Sequence, residues 1–273
     1  MVIPGLSLWY HHFFLKYNKM YKYSILTFIF GAYEKLFEVE EIDKDVEYIC
    51  VTDDPKMTSN TWKIVVDKDL DGKGVFDKCF SVRYNPFKYC TTDICVRVDG
   101  SIKIHKSITP IVNDFINSGD DMCFLIHPYR DKLTLEYGAW NVLRGFPIEK
   151  INKQIDLFHR IGYDFNKKGF IQLNFSIVKR TKINEDVNRI TYAIQKLLGD
   201  EKDVDRLDQT TISIVLDRFF PDAKIYTVSE KILHSEYMTW HYHNSKIEVN
   251  FSFDEMIKTP HLNGKEVIYN DLK

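Results

Sequence analysis

Short apolar segments alternate with amphipathic segments through the first half of the chain. Runs rich in β-branched and aromatic residues predict four strands, at Tyr23–Gly31, Val46–Thr52, Trp62–Val66 and Thr92–Val98, and a fifth follows at Met122–His127. Between them, apolar residues recur every three or four positions and predict helices at Val75–Tyr89 and Ile108–Asn117. Strands that alternate with helices indicate an α/β fold with a mostly parallel central sheet flanked by helices.

The second half of the chain is predicted to be more helical. Apolar spacing close to 3.6 residues predicts helices at Leu133–Leu143, Ile148–Arg160 and Asn184–Leu198. An acid at a suitable capping position, Asp208, precedes a further helical pattern that reaches Leu216. The apolar run Phe170–Val178 is predicted to be extended.

The organisation along the chain favours a single domain. The sequence contains no internal repeat, no low-complexity segment and no linker rich in Pro, Gly or Ser. Its 273 residues are enough to bury roughly three quarters of the unfolded surface in one large domain. We assign residues 1–22 to an N-terminal segment, residues 23–245 to the domain, and residues 246–273 to a tail or edge element.

Composition and charge exclude several classes of protein. The chain is 44% hydrophobic and 28% charged, which is typical of a globular domain, and its formal net charge is −2. This charge gives no basis for nucleic-acid binding, which needs a concentrated basic surface. The five cysteines are scattered without a Cys-x-x-Cys pair, so neither a zinc site nor a disulfide framework is predicted. No apolar run is long enough to span a bilayer, and a cytoplasmic protein is expected.

The segment Asp93–Ile104 carries the first candidate for chemistry. Its apolar strand delivers Asp99 and then Gly100 into a turn. Open α/β sheets bind their ligands at the carboxyl ends of their strands, so Asp99 stands at a suitable position for a ligand contact. The alternative is an Asp-Gly turn with only a structural role.

Two other strand ends carry polar candidates. Gly31 allows a tight turn after the first strand, where Tyr33 and backbone amides approach a nucleotide; the alternative is a simple strand terminator. Asp53 and Asp54 end the second strand, where a carboxylate accepts hydrogen bonds from a base or ribose. Because Asp54 precedes Pro55, a structural turn is the alternative.

Basic residues on the helix after the third strand are candidates for phosphate binding. Arg83 offers a planar fork that matches phosphate oxygens, and Lys78 lies on the same helix. The alternative is that both cations lie on a solvated helix face.

Later candidates suit a polar substrate and proton transfer. His127 and Arg130 enter a loop after the fifth strand, with Glu136 six residues beyond Arg130, and histidine can serve as acid, base or hydrogen-bond donor. Asp208 is either a general base or only a helix cap.

The order of these motifs resembles a family of glycosyltransferase-like domains, formerly of unknown function, found in plant Golgi proteins and bacterial surface-polysaccharide loci. The resemblance runs from about Tyr23 to about Phe220, and the residues that carry it lie in Thr27–Tyr33, Val51–Pro55, Val98–Ile102, His127–Arg130, Glu136, Gln154, Arg180 and Asp208-Gln209. It implies a GT-A-like, Rossmann-like domain. It also implies donor contacts at Gly31, Tyr33, Asp53, Asp54, Arg83, Asp99, Ser101, Arg130 and Gln209, with His127, Glu136 and Asp208 as catalytic residues.

GT-A enzymes hold a divalent metal with an Asp-x-Asp triplet, and this sequence departs from that pattern. The triplet reads Asp99-Gly100-Ser101, so its second acid is missing. His241 and His243 alternate as they would on one face of a strand, and with Asp99 they form a candidate site for Mn²⁺ or Mg²⁺ on the donor diphosphate. The alternatives are that the two histidines lie on a polar strand without a metal role, and that the donor binds without a metal.

The leading hypothesis is a transferase that moves a sugar from a nucleotide-diphosphate donor, UDP-linked by preference, to a glycan or lipid-linked acceptor in surface-polysaccharide synthesis. An acceptor of this kind places the protein at the inner membrane face as a peripheral contact. The second hypothesis is a glycan- or nucleotide-binding pseudoenzyme of the same fold, supported by the incomplete triplet. A two-metal phosphoesterase is disfavoured because the sequence has no dense His/Asp cluster.

Overall fold

A seven-stranded sheet organises the chain in the computed structural model, which describes residues 21–71, 73–127, 132–133, 136, 148–165, 167, 169–198 and 208–241. Nine strands are described: β1 Tyr23–Ile29, β2 Val46–Thr52, β3 Lys63–Val66, β4 Ile94–Val98, β5 Ile102–Ile104, β6 Met122–Ile126, β7 Ile171–Lys179, β8 Ile225–Ser229 and β9 Met238–Trp240. The described α-helices are α1 Val75–Arg83, α2 Thr109–Ser118, α3 Ile148–Arg160, α4 Lys182–Leu198 and α5 Asp208–Phe219.

The strands follow the order β3-β2-β1-β4-β7-β6-β8 across the main sheet. All neighbouring pairs are parallel except those of β7, which runs antiparallel to both β4 and β6. Strands β5 and β9 form a separate antiparallel pair just beyond the end of β4. This architecture confirms the predicted α/β class with a mostly parallel, Rossmann-like sheet.

Both faces of the sheet are buried, which explains why its central strands are continuous apolar runs rather than alternating ones. On one face, Val96 and Phe175 pack with Phe115 of α2 and with the β5–β9 pair. On the other face, Leu26 and Phe28 pack with the helices α1, α4 and α5. Every residue of β1 and β2 is buried.

The predicted elements agree with the structure except at particular ends and short strands. The helix predicted over Val75–Tyr89 was too long: α1 ends at Arg83, and a 3₁₀ turn follows at Pro86–Lys88. Proline lacks an amide hydrogen and disfavours helical geometry in the residue before it, here Asn85, so the helix ends ahead of Pro86.

Three strands were missed, namely β5, β8 and β9, because they are short and only partly apolar. The predicted helix Leu133–Leu143 falls mostly outside the described residues, as do residues 1–20 and 246–273 of the predicted terminal segments. No helix within the described ranges is both long and apolar enough to cross a membrane.

Candidate functional site

Polar side chains gather at the carboxyl ends of β1, β2 and β4. Strand β1 lies between β2 and β4, and the chain moves outward from β1 through β2 to β3 before it returns to β4 on the other side of β1. The topology therefore switches direction between β1 and β4. Open α/β sheets bind ligands in the crevice outside the strand ends at such a point.

Asp53 fixes the loop that leaves β1. Its Oδ1 accepts a hydrogen bond from the Gly31 amide at 2.9 Å, and its Oδ2 forms a salt bridge with Lys78 Nζ of α1 at 2.8 Å. Partial burial acts to raise the pKa of Asp53, but the hydrogen bonds from Lys78 and Gly31 outweigh it and leave this pKa below its usual value. Gly31 has φ +64° and Ala32 φ +51°, so the loop turns through left-handed backbone that glycine adopts readily.

The neighbouring candidates Asp54 and Tyr33 differ in their surroundings. Asp54 Oδ1 accepts from the Lys56 amide at 2.8 Å, which is the structural turn that the sequence offered as the alternative. The Tyr33 side chain is 46% exposed at the mouth of the loop, where it is accessible to a ligand. A donor contact by either residue stays a prediction.

Asp99 leaves β4 in the turn expected of Asp-Gly, and it also presents its carboxylate to the crevice. Its amide donates to the Asn174 carbonyl of β7 at 2.9 Å, and its own carbonyl accepts from the Ile102 amide at 3.0 Å. The side chain is 26% exposed and meets Arg83 Nη2 at 2.5 Å. The two readings of this segment are therefore compatible in the structure.

Gly100 provides a test of how tightly this turn is packed. A Cβ at Gly100 would lie 2.8 Å from Cγ1 of the buried Ile29 and 3.4 Å from the Phe28 carbonyl oxygen. We expect Gly100→Ala to lower the free energy of unfolding by about 1–3 kcal/mol in urea denaturation, because the collision lies against β1. In Ile29→Ala/Gly100→Ala the loss should be smaller than the sum of the single losses. Strict additivity would show that Ile29 is not the obstacle.

Arg83 bridges the two acids at the centre of the site. Its Nη1 contacts Asp208 Oδ2 and its Nη2 contacts Asp99, while its guanidinium carbon lies 5.4 Å from the centre of the Phe28 ring. Arg83 and Asp208 are only 9% and 8% exposed. Burial raises the pKa of Asp208, the attraction of Arg83 opposes this shift, and Asp99 reinforces it. The alternative of a solvated helix face is therefore excluded for Arg83.

Arg97 is a second buried cation that the sequence reading did not select. Its Nε donates to Ser176 Oγ of β7 at 2.9 Å, and its Nη1 donates to the Arg83 carbonyl at 2.9 Å. Burial lowers the pKa of Arg97 to about 10, which leaves it charged at neutral pH. Two arginines and two aspartates therefore balance in this cluster. The available signal was a charged residue inside the otherwise apolar strand β4.

Asp208 and Gln209 begin α5 and join it to the sheet. Asp208 Oδ1 accepts from the amide of the next residue, Gln209, at 3.0 Å, and Oδ2 contacts Arg83; the capping role stays a prediction. Gln209 Oε1 accepts from the Leu173 amide of β7 at 3.1 Å. Gln209 thus anchors an irregular part of β7 rather than standing free in the crevice.

Ser101 and His241 connect the Asp99 turn to β9. Ser101 is fully buried, and its hydroxyl accepts from Trp240 Nε1 at 3.2 Å, which gives it a structural contact. The His241 amide donates to the Ser101 carbonyl at 2.8 Å, and its ring stacks on Phe37 with 4.6 Å between centroids. His241 therefore lies near the Asp99 turn, because it pairs with Ser101, which is two residues after Asp99.

His127 and Glu136 form a separate buried pair at the end of β6. Their Nε2 and Oε2 atoms are 4.0 Å apart, and the two residues are 6% and 1% exposed. Gln154 of α3, part of the family pattern, is likewise buried. Strand β7 separates β6 from β4. The His127 amide donates to the Phe170 carbonyl, whereas the Asp99 amide donates to the Asn174 carbonyl four positions further along the chain, so this pair is displaced from Asp99 both across the sheet and along the strands. Arg130 lies outside the described residues.

The described residues do not by themselves supply a metal-ligand set. In the ranges that the structure covers, no three His, Cys, Asp or Glu side chains are grouped so that they could hold a metal ion. Asp99 is engaged by Arg83, and His243 lies outside the described residues. Metal binding by Asp99, His241 and His243 stays a prediction, and no step below passes through a metal.

No protein-family model matches the sequence, and a search of curated proteins gives no significant match. The case for a function therefore rests on the chemistry of the site. The site contains carboxylates at two strand ends and at the start of α5, two cations from α1, and a histidine–glutamate pair beyond β7.

Proposed function

We propose that this protein is a glycosyltransferase that moves a sugar from a nucleoside-diphosphate donor, UDP-linked by preference, to a hydroxyl of a glycan or lipid-linked acceptor. The observation that carries the proposal is the convergence of Asp53, Asp99, Arg83 and Asp208 on the switch point between β1 and β4. A crevice of this kind suits an anionic nucleotide with a polar sugar. The pairing of β9 beside the Asp99 turn supports the GT-A-like organisation that the family resemblance implies.

The donor would lie across the β1–β4 crevice. The Gly31 loop and Asp53 receive the nucleoside, and Lys78 and Arg83 of α1 supply positive charge for the diphosphate. Both cations already contact carboxylates, so a diphosphate competes with Asp53 and Asp99 for them. Cations held in place before the ligand arrives need little reorganisation when charge develops on the leaving group.

In the inverting form of the reaction, the bond between the anomeric carbon and the diphosphate oxygen breaks, and its electron pair leaves with the diphosphate. The acceptor oxygen bonds to the anomeric carbon and loses its proton to Asp208. Burial raises the pKa of Asp208, which makes this carboxylate a stronger base than an ordinary aspartate. His127 and Glu136 line the sugar or acceptor side of the site in this proposal.

The second candidate function is nucleotide or glycan binding without turnover. The observation in its favour is that Arg83 engages both Asp99 and Asp208, so each candidate acid is already neutralised. A donor that binds and is never transferred or hydrolysed would support this alternative. Both functions fit a protein that works in the cytoplasm and meets its acceptor at the inner membrane face.

Ligand-dependent stabilisation tests the proposal. The purified protein is melted with UDP, GDP, CMP and their sugars, each with and without Mn²⁺. A ligand present at a hundredfold excess over its dissociation constant stabilises the folded state by about 2.7 kcal/mol, so binding is visible as a higher melting temperature. We expect a shift with one nucleotide, followed by release of that nucleotide from its sugar when an acceptor is present. No shift with any of these ligands would refute the donor site.

A further inference from the structure

Strand β7 is irregular beside the candidate site. Phe124 of β6 pairs with Ser176, but the next residue, Leu125, pairs with Gln172. Residues 173–175 therefore face no partner on β6. Bulges of this kind re-aim side chains and are frequent next to active sites. The Leu173 amide, which loses its place in the ladder, is bound instead by Gln209 of α5.

Asn174 stands in this irregular stretch, directly across from Asp99. Strands β4 and β7 pair Arg97 with Ser176 and Val98 with Phe175, so the next opposed residues are Asp99 and Asn174. The Asp99 amide donates to the Asn174 carbonyl, as this register requires. Opposed residues of antiparallel strands share a face and have Cβ atoms about 5 Å apart. The two side chains are therefore neighbours on the face that carries Arg83.

The side chain of Asn174 is buried without hydrogen bonds in the described part of the protein. The residue is 6% exposed, and neither its Oδ1 nor its Nδ2 has a partner there. A buried amide that makes no hydrogen bond costs free energy that an apolar side chain of similar size would not. Asn174 thus lowers the stability of the folded protein, which points to a role other than packing.

We propose that Asn174 is an alternate hydrogen-bond partner of Asp99. It binds the Asp99 carboxylate when the phosphates of a nucleotide bind Arg83 and break the Arg83–Asp99 ion pair. In the structure Arg83 forms an ion pair with Asp99, and the Asn174 side chain lies beside Asp99. A bound diphosphate competes for Arg83 and would leave the Asp99 carboxylate without a donor. The Asn174 amide then donates to that carboxylate, so Asn174 is a positioning residue. This inference rests on the proposed nucleotide site.

Titration calorimetry of two matched ligands tests the exchange. UDP carries the phosphates that attract Arg83, whereas uridine does not. We expect Asn174→Leu to weaken UDP binding at least about tenfold and to leave uridine binding unchanged, because only UDP needs the alternate partner. Asn174→Ser, which keeps a donor and removes volume, should lose less UDP affinity. GDP and guanosine serve as the pair if the protein prefers guanine.

The melting temperature of the free protein gives a second readout. Asn174→Leu should melt at the same or a higher temperature than the wild type, since it removes an unsatisfied buried amide. Thr27→Val is the control. It also removes a buried polar group, a hydroxyl that has no partner in the described residues, and Thr27 lies on β1, which neighbours β4. It should change neither UDP nor uridine binding.

The possible failures are distinguishable. If the wild type binds neither UDP nor GDP, the proposed function fails and this inference falls with it. If the wild type binds UDP but the Asn174 variants bind it equally well, the exchange is refuted while the nucleotide site stands. Equal losses of UDP and uridine affinity, or a lower melting temperature for Asn174→Leu, would show that Asn174 has a structural role only.

Discussion

Replacing Arg83 with methionine is expected to lower the free energy of unfolding by about 3–5 kcal/mol, which is the usual cost of removing one partner of a buried ion pair. The substitution keeps most of the side-chain length over Phe28 and removes only the charge. It leaves Asp99 and Asp208 facing one another without the cation that contacts both. Urea denaturation of the two proteins at pH 7 measures the difference.

The loss of unfolding free energy caused by Arg83→Met should become smaller as the pH is lowered. Burial already raises the pKa of Asp208, and Arg83 is the charge that opposes this rise. A group with a raised folded-state pKa adds stability below its unfolded pKa of about 4 and loses that contribution as the pH rises through the folded value. Removing Arg83 raises the folded value further. Acidification towards pH 4 therefore favours the variant relative to the wild type.

Lys88 provides the matched control for Arg83. It also bridges two carboxylates, those of Asp67 at 2.7 Å and Asp69 at 2.9 Å, but its side chain is 44% exposed. The Asp67 side chain is only 9% exposed, but Tyr89 Oη also donates to it, and solvent screens the exposed Lys88 ammonium. Lys88→Met should therefore cost about 1 kcal/mol or less. Arg83→Met/Asp208→Asn should regain part of the loss. Similar costs for Arg83→Met and Lys88→Met would contradict the argument that burial makes the Arg83 cluster important.

The central strands of the main sheet could be predicted because of the way they are buried. Residues of β1 and β2 are covered on both faces, so their sequences are continuous apolar runs. In β8 no residue is fully buried, and β9 has only three residues, so neither leaves a clear pattern. Pro86 accounts for the end of α1. The prediction ran past it because aromatic residues continue at helical spacing to Phe87.

The candidate site was predictable where chemistry and strand ends coincide, and not where it depends on long-range contacts. Asp53 and Asp99 stand at strand ends and were identified from sequence. Arg97 meets Ser176 across 79 positions of the chain, and Asn174 faces Asp99 only because of the β4–β7 register. The role of Arg83 depends on its burial, and the local sequence around a basic helix residue does not show whether that residue is buried. These features arise from tertiary packing, which the local pattern does not contain.

The second large effect is expected at Asp208, where Asp208→Asn should lower kcat for sugar transfer about 10²–10⁴-fold. An amide cannot take the proton of the acceptor hydroxyl, although it can still accept a hydrogen bond from Arg83. Donor affinity should change little, because Lys78 and Arg83 remain in place to meet the diphosphate. Single-turnover kinetics with a UDP-sugar, well below the melting temperature of each variant, separate the chemical step from binding.

Asp99→Asn should show the complementary pattern, since Asp99 is the more exposed acid at the crevice and lies where the donor binds. Its main effect is then on the dissociation constant of the donor. Asp93→Asn is the control: Asp93 precedes β4 at the opposite end of the strand, and its side chain is 85% exposed. If Asp208→Asn kept full turnover, Asp208 would not be the base. If both site variants raised the dissociation constant and spared kcat, the cluster would bind a donor without acting on it, because a catalytic carboxylate must matter more in the transition state than in the bound complex.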